Sequence, residues 1–363
     1  MRAALALARR GLGNVWPNPA VGCVIVRDGV AVGRGWTQPG GRPHAETEAL
    51  ARAGERARGA TAYVSLEPCC HWGRTPPCTD AMIAAGIARA VIALRDPDPR
   101  VNGEGVARLR AAGLAVTEGV AEAEAREVNA GFLMRIRAGR PLVTLKLAAT
   151  LDGRIATAAG ESRWITRERA RRQAHLLRAA HDAVLVGAGT AVTDDPALTV
   201  RLPGVVPAAR PGPVRVVADG RLRLPLTSVL VATARATPTW ILTRPGNDRA
   251  RIGAFADAGC TVIEVRPDPA TGQPDLAEGL RALGSRGITR VLVEGGGTLA
   301  AALLGRGLVD RLAWFGAPGL MGSDGVPAVG ALSLPALSAM PRFRRSLLAE
   351  AGEDVVLMFT REE

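Results

Sequence analysis

One histidine and two cysteines in the first third of the chain have the types and order of a zinc site. They are His44, Cys69 and Cys78. One imidazole and two thiolates fill three of the four tetrahedral positions that Zn²⁺ prefers and leave the fourth for water. Two of the four histidines and three of the five cysteines of the chain fall between His44 and Cys78. The open fourth position favours a catalytic zinc site over a structural one.

A carboxylate, Glu46, stands two residues after His44, where it can lie over the open position without binding the metal. Zinc lowers the pKa of a bound water to about 7, so hydroxide is available at neutral pH to attack a ring carbon that carries an amino group. We expect Glu46 to take the proton from this water and to pass it to the ring nitrogen and then to the departing amine. The order H-x-E followed by P-C and a second cysteine is that of zinc deaminases.

The segment between the two predicted cysteine ligands is longer than in the short deaminase pattern. It has eight residues in place of two. We expect its His71 and Arg74 to reach over the pocket and to place a cation where a substrate phosphate can bind. Asn18, between two prolines, has two interpretations: its amide reads the edge of a pyrimidine, or it is a turn element.

The remaining cysteines favour ordinary interpretations. Cys23 and Cys260 are expected to be small core hydrophobes. Cys70 is adjacent to a predicted ligand and would point to the opposite face of an extended chain. A purely structural zinc site is the alternative for the other cysteines, and it leaves Glu46 without a role.

The elements around these residues alternate between strand and helix. Residues 21–26 and 31–36 predict a hairpin across the turn Asp28-Gly29. Apolar spacing, prolines and glycines then predict a helix over 44–54, a strand over 61–68, a helix over 76–86 and a strand over 89–94. Alternation of this kind predicts a sheet with helices on both faces.

The same alternation restarts after Gly139-Arg140-Pro141, which predicts a second α/β domain. Its predicted strands and helices are 141–150, 167–180, 183–187, 214–220, 239–243, 261–265, 290–294 and 298–307, with an exposed loop over 203–213. Two glycine-rich segments follow strands: Gly187-Ala188-Gly189-Thr190, expected to be a loop, and Gly295-Gly296-Gly297-Thr298, expected before a helix. Backbone N–H groups at such turns can bind the phosphates of a nucleotide cofactor.

Composition limits the classes of protein that fit. A length of 363 residues favours two domains, and no apolar run is long enough to cross a bilayer or to form a signal peptide. Five unevenly spread cysteines favour the reduced cytoplasm. The net charge of +12 would suit nucleic acid, but aromatic residues are only 3% of the chain, and the arginines are scattered. We therefore expect no nucleic-acid or membrane partner.

Lys146 is the single lysine among 46 basic residues. A chain that uses arginine almost everywhere else has kept here a compact ammonium group with an adjustable pKa. The alternative is that Lys146 is an ordinary solvated cation and has remained a lysine by chance.

Seven segments, in order, carry a family resemblance. They are PNPAVGCVIV, PHAE, LEPCCHWGRTPPC, LKLAATLDGR, GESRWIT, DDPALTVR and VEGGGTLAAALL. The chain resembles the bifunctional riboflavin biosynthesis deaminase/reductase family from Asn14 to about Leu320. The resemblance implies two three-layer α/β/α domains: a cytidine-deaminase-like zinc domain over residues 1–140 and a dihydrofolate-reductase-like, NADPH-dependent domain over 141–363. It also implies deamination of 2,5-diamino-6-(5-phosphoribosylamino)pyrimidin-4(3H)-one and reduction of the ribosyl group of the product to ribityl.

The resemblance also assigns residues. His44, Cys69 and Cys78 match the zinc ligands, Glu46 the proton shuttle, and Asn18, His71 and Arg74 the contacts to the deaminase substrate. Matches to NADPH contacts are Ala148, Trp164, Thr190, Asp194, Gly296, Gly297 and Thr298. Matches around the phosphorylated reductase substrate are Ser162, Arg178, Leu198, Arg201 and Glu294, where both arginines suit bidentate phosphate binding. Lys146 is expected to polarise or protonate the open-chain sugar near C1.

Two positions depart from the family pattern: Thr37 stands in a stretch where a histidine is frequent, and Cys70 where serine is usual. The departure at Thr37 leaves the affinity of the deaminase for its substrate open. We expect a homo-oligomer acting on a small phosphoribosyl pyrimidine. Two alternatives remain at this point: a tRNA or nucleic-acid deaminase with a C-terminal binding module, and a zinc-stabilised binding protein without turnover.

Overall fold

The computed structural model describes residues 1–202 and 212–362 and divides the chain into two compact units, 1–139 and 140–363. The predicted domain boundary, after residue 140, lies one residue from this division. Most of the loop predicted over 203–213 lies outside the described residues. None of the described helices has the length and apolar character needed to cross a membrane.

The first unit is a five-stranded sheet with helices. Its elements are α1 (Arg2–Arg9), β1 (Gly22–Arg27), β2 (Val30–Trp36), α2 (Ala45–Ala53), β3 (Thr61–Val64), α3 (Cys78–Ala84), β4 (Arg89–Ile92), α4 (Glu104–Ala111), β5 (Ala115–Glu118), α5 (Glu122–Val128) and α6 (Ala130–Ala138). The strand order is β2-β1-β3-β4-β5, with β1 antiparallel to both neighbours and β3, β4 and β5 parallel. The predicted hairpin and the four elements after it are present.

Three glycines show how closely the helices approach this sheet on its two faces. A Cβ atom at Gly22 would lie 1.9 Å from the carbonyl oxygen of Ala4 in α1. On the opposite face, a Cβ atom at Gly33 or Gly35 would lie 2.2 Å from a carbonyl oxygen of α2. Only glycine permits backbone contact of this kind. The first unit therefore has the three predicted layers, with α1 and α2 on opposite faces.

The strand predicted over 61–68 ends earlier, at Val64. Pro68 has no N–H to continue a ladder. The Glu67 side chain is also used elsewhere, since it accepts hydrogen bonds from the neighbouring loop. The four residues that follow β3 lead to Cys69, which lies beyond the carboxyl end of this strand.

The second unit is built on a nine-stranded sheet of order β11-β10-β9-β8-β12-β6-β13-β16-β15. Its elements are β6 (Leu142–Thr150), β7 (Arg154–Ala156), α7 (Glu168–Ala179), β8 (Ala183–Gly187), α8 (Ala188–Asp194), β9 (Val214–Ala218), α9 (Val229–Ala232), β10 (Thr239–Thr243), α10 (Arg249–Asp257), β11 (Thr261–Glu264), α11 (Leu276–Ser285), β12 (Arg290–Val293), α12 (Gly297–Gly305), β13 (Arg311–Ala317), β14 (Val326–Pro327), β15 (Phe343–Ala351) and β16 (Asp354–Arg361). The strands from β11 to β13 are parallel, and the hairpin β15–β16 adds two antiparallel strands at one edge.

Helices cover both faces of this larger sheet. Ile241 of β10 lies in one buried cluster with Phe255 of α10. The next residue, Leu242, points to the other face, where Gly279 of α11 is close enough that an added Cβ would lie 3.0 Å from the leucine side chain. The second unit is therefore also a three-layer α/β/α arrangement, as predicted.

One local prediction in this unit was wrong. The segment after Gly187, expected to be a loop, is the helix α8, with Gly187 as its N-cap residue. The helix contains one glycine, Gly189, but no proline, so every N–H group needed for the helical hydrogen bonds is present directly after the strand. The second glycine-rich segment is as predicted: Gly296 is the N-cap residue of α12, which begins at Gly297.

Candidate active sites

The three predicted zinc ligands meet at the ends of three different elements. His44 is the N-cap residue of α2, Cys78 is the first residue of α3, and Cys69 lies in the segment between β3 and α3. The ligand atoms all lie within 4.8 Å of one another, with the His44 Nδ1 atom 3.7 Å from Cys69 Sγ and 3.4 Å from Cys78 Sγ. One imidazole nitrogen and two sulfurs at this spacing fit a tetrahedral zinc ion with one open position.

Hydrogen bonds hold Cys69 in the form that a metal requires. The backbone N–H of Cys78 donates to Cys69 Sγ at 3.3 Å, and the N–H of Thr79 donates to the Cys69 carbonyl oxygen at 3.2 Å. A hydrogen bond from the Cys78 side chain is the main cause that lowers the pKa of Cys69 to about 4. The same hydrogen bond raises the pKa of Cys78, so Cys69 is the thiol that loses its proton first, and zinc has to displace the proton of Cys78 to bind both as thiolates.

Glu46 lies in the first turn of α2 and is only 3% exposed. Burial disfavours the charged carboxylate and raises its pKa to about 7. A carboxyl group with this pKa can both accept and deliver a proton at neutral pH. The structure thus places a group suited to proton transfer two residues from the predicted metal ligand His44.

A cavity of about 610 Å³ opens in front of these residues. The predicted contacts Asn18, His71 and Arg74 all line it, together with His44, Glu46 and Cys69. The Asn18 side chain donates from Nδ2 to the carbonyl oxygen of Gly41 at 2.6 Å. Among the described residues, no group bonds to the buried Nδ1 atom of His71.

Thr37, which stands where a family histidine is frequent, also lines the cavity but is almost fully buried. Its hydroxyl donates to the carbonyl oxygen of Pro19 at 3.1 Å and accepts the N–H of Val21 at 3.0 Å. Because its one proton is used by the protein, Thr37 serves to hold the segment that leads into β1.

The lining of the cavity also contains charged residues that were not predicted from the sequence. Asp96, Asp98 and Arg100 follow β4, and Arg135 lies in α6. Burial raises the pKa of Asp96 to about 7, whereas the hydrogen bonds from Arg100 lower the pKa of Asp98. Their position directly after a parallel strand was the available signal, because ligand sites form at such strand ends.

Two further residues near the predicted ligands contact neighbouring segments of the chain. Arg42, two residues before His44, donates a hydrogen bond to the Thr75 hydroxyl in the long segment between the cysteine ligands. Cys70 is outside the group of three ligands, and its thiol lies 3.5 Å from the carbonyl oxygen of Arg100.

A second cavity, of about 390 Å³, lies in the other unit at the ends of parallel strands. Many of the residues predicted for the reductase line it, namely Lys146, Ala148, Ser162, Arg178, Thr190, Asp194, Leu198, Glu294 and Gly296. The Thr190 hydroxyl accepts the N–H of Gly296 at 3.2 Å, so the first turn of α8 is joined to the turn that begins α12.

Lys146 and Arg178 both contact Glu294 in this cavity. Lys146 Nζ is 4.0 Å from Glu294 Oε2, and Arg178 makes a bidentate pair with the same carboxylate at 2.5 and 3.0 Å. Burial lowers the pKa of Lys146, and the nearby Glu294 only partly offsets this. The bidentate face of Arg178 was expected to hold a substrate phosphate, but in this structure it is occupied by Glu294.

Four of the predicted reductase residues are not among those lining the cavity. Trp164 is 66% exposed with the Arg171 guanidinium 4.6 Å from its ring centre, and Thr298 is exposed. The backbone N–H of Arg201 lies 3.4 Å from His175 Nδ1. A Cβ atom at Gly297 would lie 2.6 Å from the Pro327 carbonyl oxygen, so this glycine is needed for close packing.

Comparisons with known proteins match both units. Residues 1–94 match the cytidine and deoxycytidylate deaminase zinc-binding region, and residues 141–357 match the RibD C-terminal domain. The riboflavin biosynthesis protein RibD of Escherichia coli is 46% identical, with 98% of this chain and 97% of the relative covered. RibD of Aquifex aeolicus is 43% identical, with 99% and 97% covered.

Solved structures agree along the whole chain. Acinetobacter baumannii RibD superposes with a TM-score of 0.89 at 38% identity and covers 100% of this chain and 98% of that one. A diaminohydroxyphosphoribosylaminopyrimidine deaminase/5-amino-6-(5-phosphoribosylamino)uracil reductase from Thermotoga maritima has a TM-score of 0.84 at 34% identity, with 99% and 97% covered.

Fold, sites and relatives together define a bifunctional enzyme, with a zinc-dependent deaminase unit followed by an NADPH-dependent reductase unit. The chain belongs to the RibD family of riboflavin biosynthesis proteins.

Proposed function

We propose that the first unit removes the C2 amine of 2,5-diamino-6-(5-phosphoribosylamino)pyrimidin-4(3H)-one and that the second reduces the ribosyl group of the product, giving 5-amino-6-(5-phosphoribitylamino)uracil. The observation that carries the deaminase assignment is the group of His44, Cys69 and Cys78 beside the buried Glu46. The Thermotoga maritima relative, which is named for these two activities, supports the choice of substrate.

In the deaminase site, His44, Cys69 and Cys78 would hold the zinc ion, which would supply a nucleophilic hydroxide at neutral pH. Glu46 takes one proton from the attacking water and delivers it to the ring nitrogen. It then takes the second proton, from the hydroxyl group now on the ring carbon, and gives it to the amine, which leaves as ammonia while the carbonyl group forms. Its pKa of about 7 suits both directions of transfer.

Three cavity residues hold the substrate in this proposal. Asn18 is fixed by its hydrogen bond to Gly41, so its carbonyl oxygen is placed to accept from an amino group of the ring. The unpartnered Nδ1 of His71 lies in the same wall. Arg74 is exposed at the mouth of the cavity, where it can pair with the phosphate.

In the reductase site, NADPH supplies a hydride, and the residues of this chain orient the sugar and move its proton. Lys146 is the acid that protonates the open-chain sugar, because it lines the cavity beside Glu294 and burial lowers its pKa below the ordinary lysine value. Arg178 holds Glu294, and both border the substrate with Ser162 and Leu198. Arg201 is left to bind the phosphate.

The cofactor contacts form a second group in the same proposal. Ala148, Thr190, Asp194 and Gly296 line the cavity, and the α8 and α12 N-termini meet beside it. Helix N-termini favour phosphate groups. Gly297, Thr298 and Trp164 complete this group of NADPH contacts.

Purified protein supplied with the phosphoribosyl diaminopyrimidine and NADPH tests the function directly. Ammonia release and loss of NADPH absorbance are followed separately, and both are expected. Salt-sensitive binding to a folded RNA without NADPH oxidation would contradict the proposal and favour a nucleic-acid deaminase instead.

We place the enzyme in the cytoplasm without a nucleic-acid or membrane partner, a proposal supported by five cysteines that form no disulfide.

We also propose that the enzyme is a homo-oligomer and that β15 forms the contact between copies. This strand is the edge of the nine-stranded sheet and carries the exposed leucines Leu347 and Leu348. Edge strands with exposed apolar side chains tend to pair with another chain. The double substitution Leu347→Arg/Leu348→Arg is expected to give a monomer of 37.7 kDa in light scattering, whereas Leu226→Arg, at an exposed apolar position outside the strands, leaves the wild-type mass. A monomeric wild-type protein would overturn the proposal.

A further inference from the structure

Glu67 is a buried carboxylate that plays no part in the mechanism above. It stands two residues before the zinc ligand Cys69 and is 3% exposed. Its side chain has no arginine or lysine partner within salt-bridge distance among the described residues, and all its hydrogen bonds come from backbone N–H groups. A buried charge satisfied only by backbone donors fixes the position of the segments that supply them.

The donors belong to one loop and to the helix that follows it. The N–H of Asp96 donates to Oε2 at 3.2 Å, and the N–H of Gly103 lies 3.0 Å from both carboxylate oxygens. The N–H of Val106, in the first turn of α4, donates to Oε1 at 3.1 Å. Glu67 therefore holds both ends of the 96–103 segment.

The same pattern continues along that segment. The Asp96 side chain accepts the N–H of Asp98 at 2.9 Å, and the Asp98 side chain accepts the N–H of Arg100 at 3.0 Å. Asp98 also pairs with the Arg100 guanidinium at 2.6 and 3.0 Å. Each carboxylate thus fixes the backbone of the next charged residue, and the series begins at Glu67.

The three residues at the end of this series, Asp96, Asp98 and Arg100, line the deaminase cavity, and Glu67 borders it too but has its carboxylate oxygens bonded to backbone N–H groups. The ligands His44 and Cys78 lie on other elements and make no hydrogen bond to Glu67 among the described residues. We propose that Glu67 is a positioning residue for substrate binding, which sets the charged wall of the cavity relative to the zinc ligands without touching the reacting atoms. This inference rests on the proposed pyrimidine substrate.

The test is Glu67→Gln in the full-length, zinc-loaded enzyme. Glutamine has nearly the same shape, but its NH₂ group cannot accept the N–H donors that face it. The KM for the diaminopyrimidine is expected to rise about tenfold or more, because charged hydrogen bonds that order the wall are lost. The kcat for ammonia release should stay within about threefold and zinc should remain stoichiometric, since Glu67 serves binding and not the chemical step.

Glu104→Gln is the matched control, because this exposed carboxylate lies in the first turn of the same helix α4. It should behave as the wild type. If the wild-type enzyme released no ammonia from the diaminopyrimidine, the proposed substrate would be wrong. If instead the KM were unchanged in Glu67→Gln, only the proposed role of Glu67 would be wrong. Loss of zinc from Glu67→Gln, or a fall in its kcat at constant KM, would also overturn this role. Either result would mean that Glu67 supports the metal site instead of the substrate-binding wall.

Hydrogen exchange and a second variant test the inference independently of catalysis. Amides in 96–106 should exchange faster in Glu67→Gln, whereas those of α2 should not change. Gly105→Ala moves the first turn of α4 without removing a charge, because an added Cβ would lie 2.3 Å from the Pro68 carbonyl oxygen. Gly105→Ala is therefore also expected to raise the KM for the diaminopyrimidine. It provides this test even if the Glu67→Gln protein folds poorly. Unchanged exchange, or an unchanged KM in Gly105→Ala, would contradict the proposal.

Discussion

Replacing Glu46 by glutamine is expected to reduce ammonia release by about 10³- to 10⁴-fold while the reduction of the deaminated compound continues at the wild-type rate. General acid–base groups contribute about 10²- to 10⁴-fold, and Glu46 is assigned more than one proton transfer in the same turnover. Glutamine preserves the volume of the side chain and removes the group that titrates with a pKa of about 7. The measurement is ammonia release from the diaminopyrimidine, with NADPH oxidation followed separately on the deaminated compound.

Glu48→Gln provides a control on the same helix. Glu48 lies two residues further along α2 and pairs with Arg52 at 2.9 Å. Its substitution should leave both activities unchanged. Zinc content is measured in both variants, because a Glu46→Gln protein that has lost its metal would not report on proton transfer. Retention of a tenth of the deaminase activity with zinc in place would contradict the role of Glu46.

Replacing Lys146 by arginine is expected to have the reverse effect, with reduction lowered by about 10²- to 10³-fold and ammonia release unchanged. The guanidinium keeps its proton at all relevant pH values and therefore cannot act as an acid, whereas the buried ammonium has a lowered pKa. An acid must be protonated to act, so the wild-type reductase rate should fall as pH rises through the pKa of Lys146. Because that pKa lies below the ordinary lysine value, the fall should begin below pH 10.5.

NADPH oxidation by Lys146→Arg, measured over a range of pH with the deaminated compound, decides this prediction. Arg169→Lys, an exchange of the same two residue types at an exposed position of α7, should be neutral. If Lys146→Arg reduced the substrate normally, the lysine would be one more cation beside Glu294. If either Glu46→Gln or Lys146→Arg abolished both activities, the assignment of the two reactions to two separate sites would be wrong.

The sequence was sufficient to predict that His44, Cys69 and Cys78 come together, because all three are tied to local signals. His44 and Cys78 stand at helix starts marked by prolines and apolar spacing, and Cys69 follows a strand. A rare combination of residue types in those positions leaves few alternative arrangements. The strand–helix alternation likewise predicted the three-layer fold of both units.

The remaining features depend on contacts between residues that are distant in the chain. Glu67 and Gly103 are 36 residues apart and meet only because β3 and β4 are neighbours in the sheet. Arg178 and Glu294 are 116 residues apart, and nothing near Arg178 in the sequence indicates that a carboxylate occupies its bidentate face. The helix α8 was missed because glycines in its first turn are typical of loops as well.

Gly33 and Gly35 extend the set of positions on which deamination depends. Backbone carbonyl groups of the helix α2 lie directly against these two residues. His44, at the N-cap of the same helix, and Glu46, in its first turn, line the deaminase cavity. A single methyl group at either position would have to push α2 away from the sheet, and the histidine and the carboxylate would be displaced with it. Inactivating substitutions can therefore arise in the middle of β2, at residues that never meet the pyrimidine.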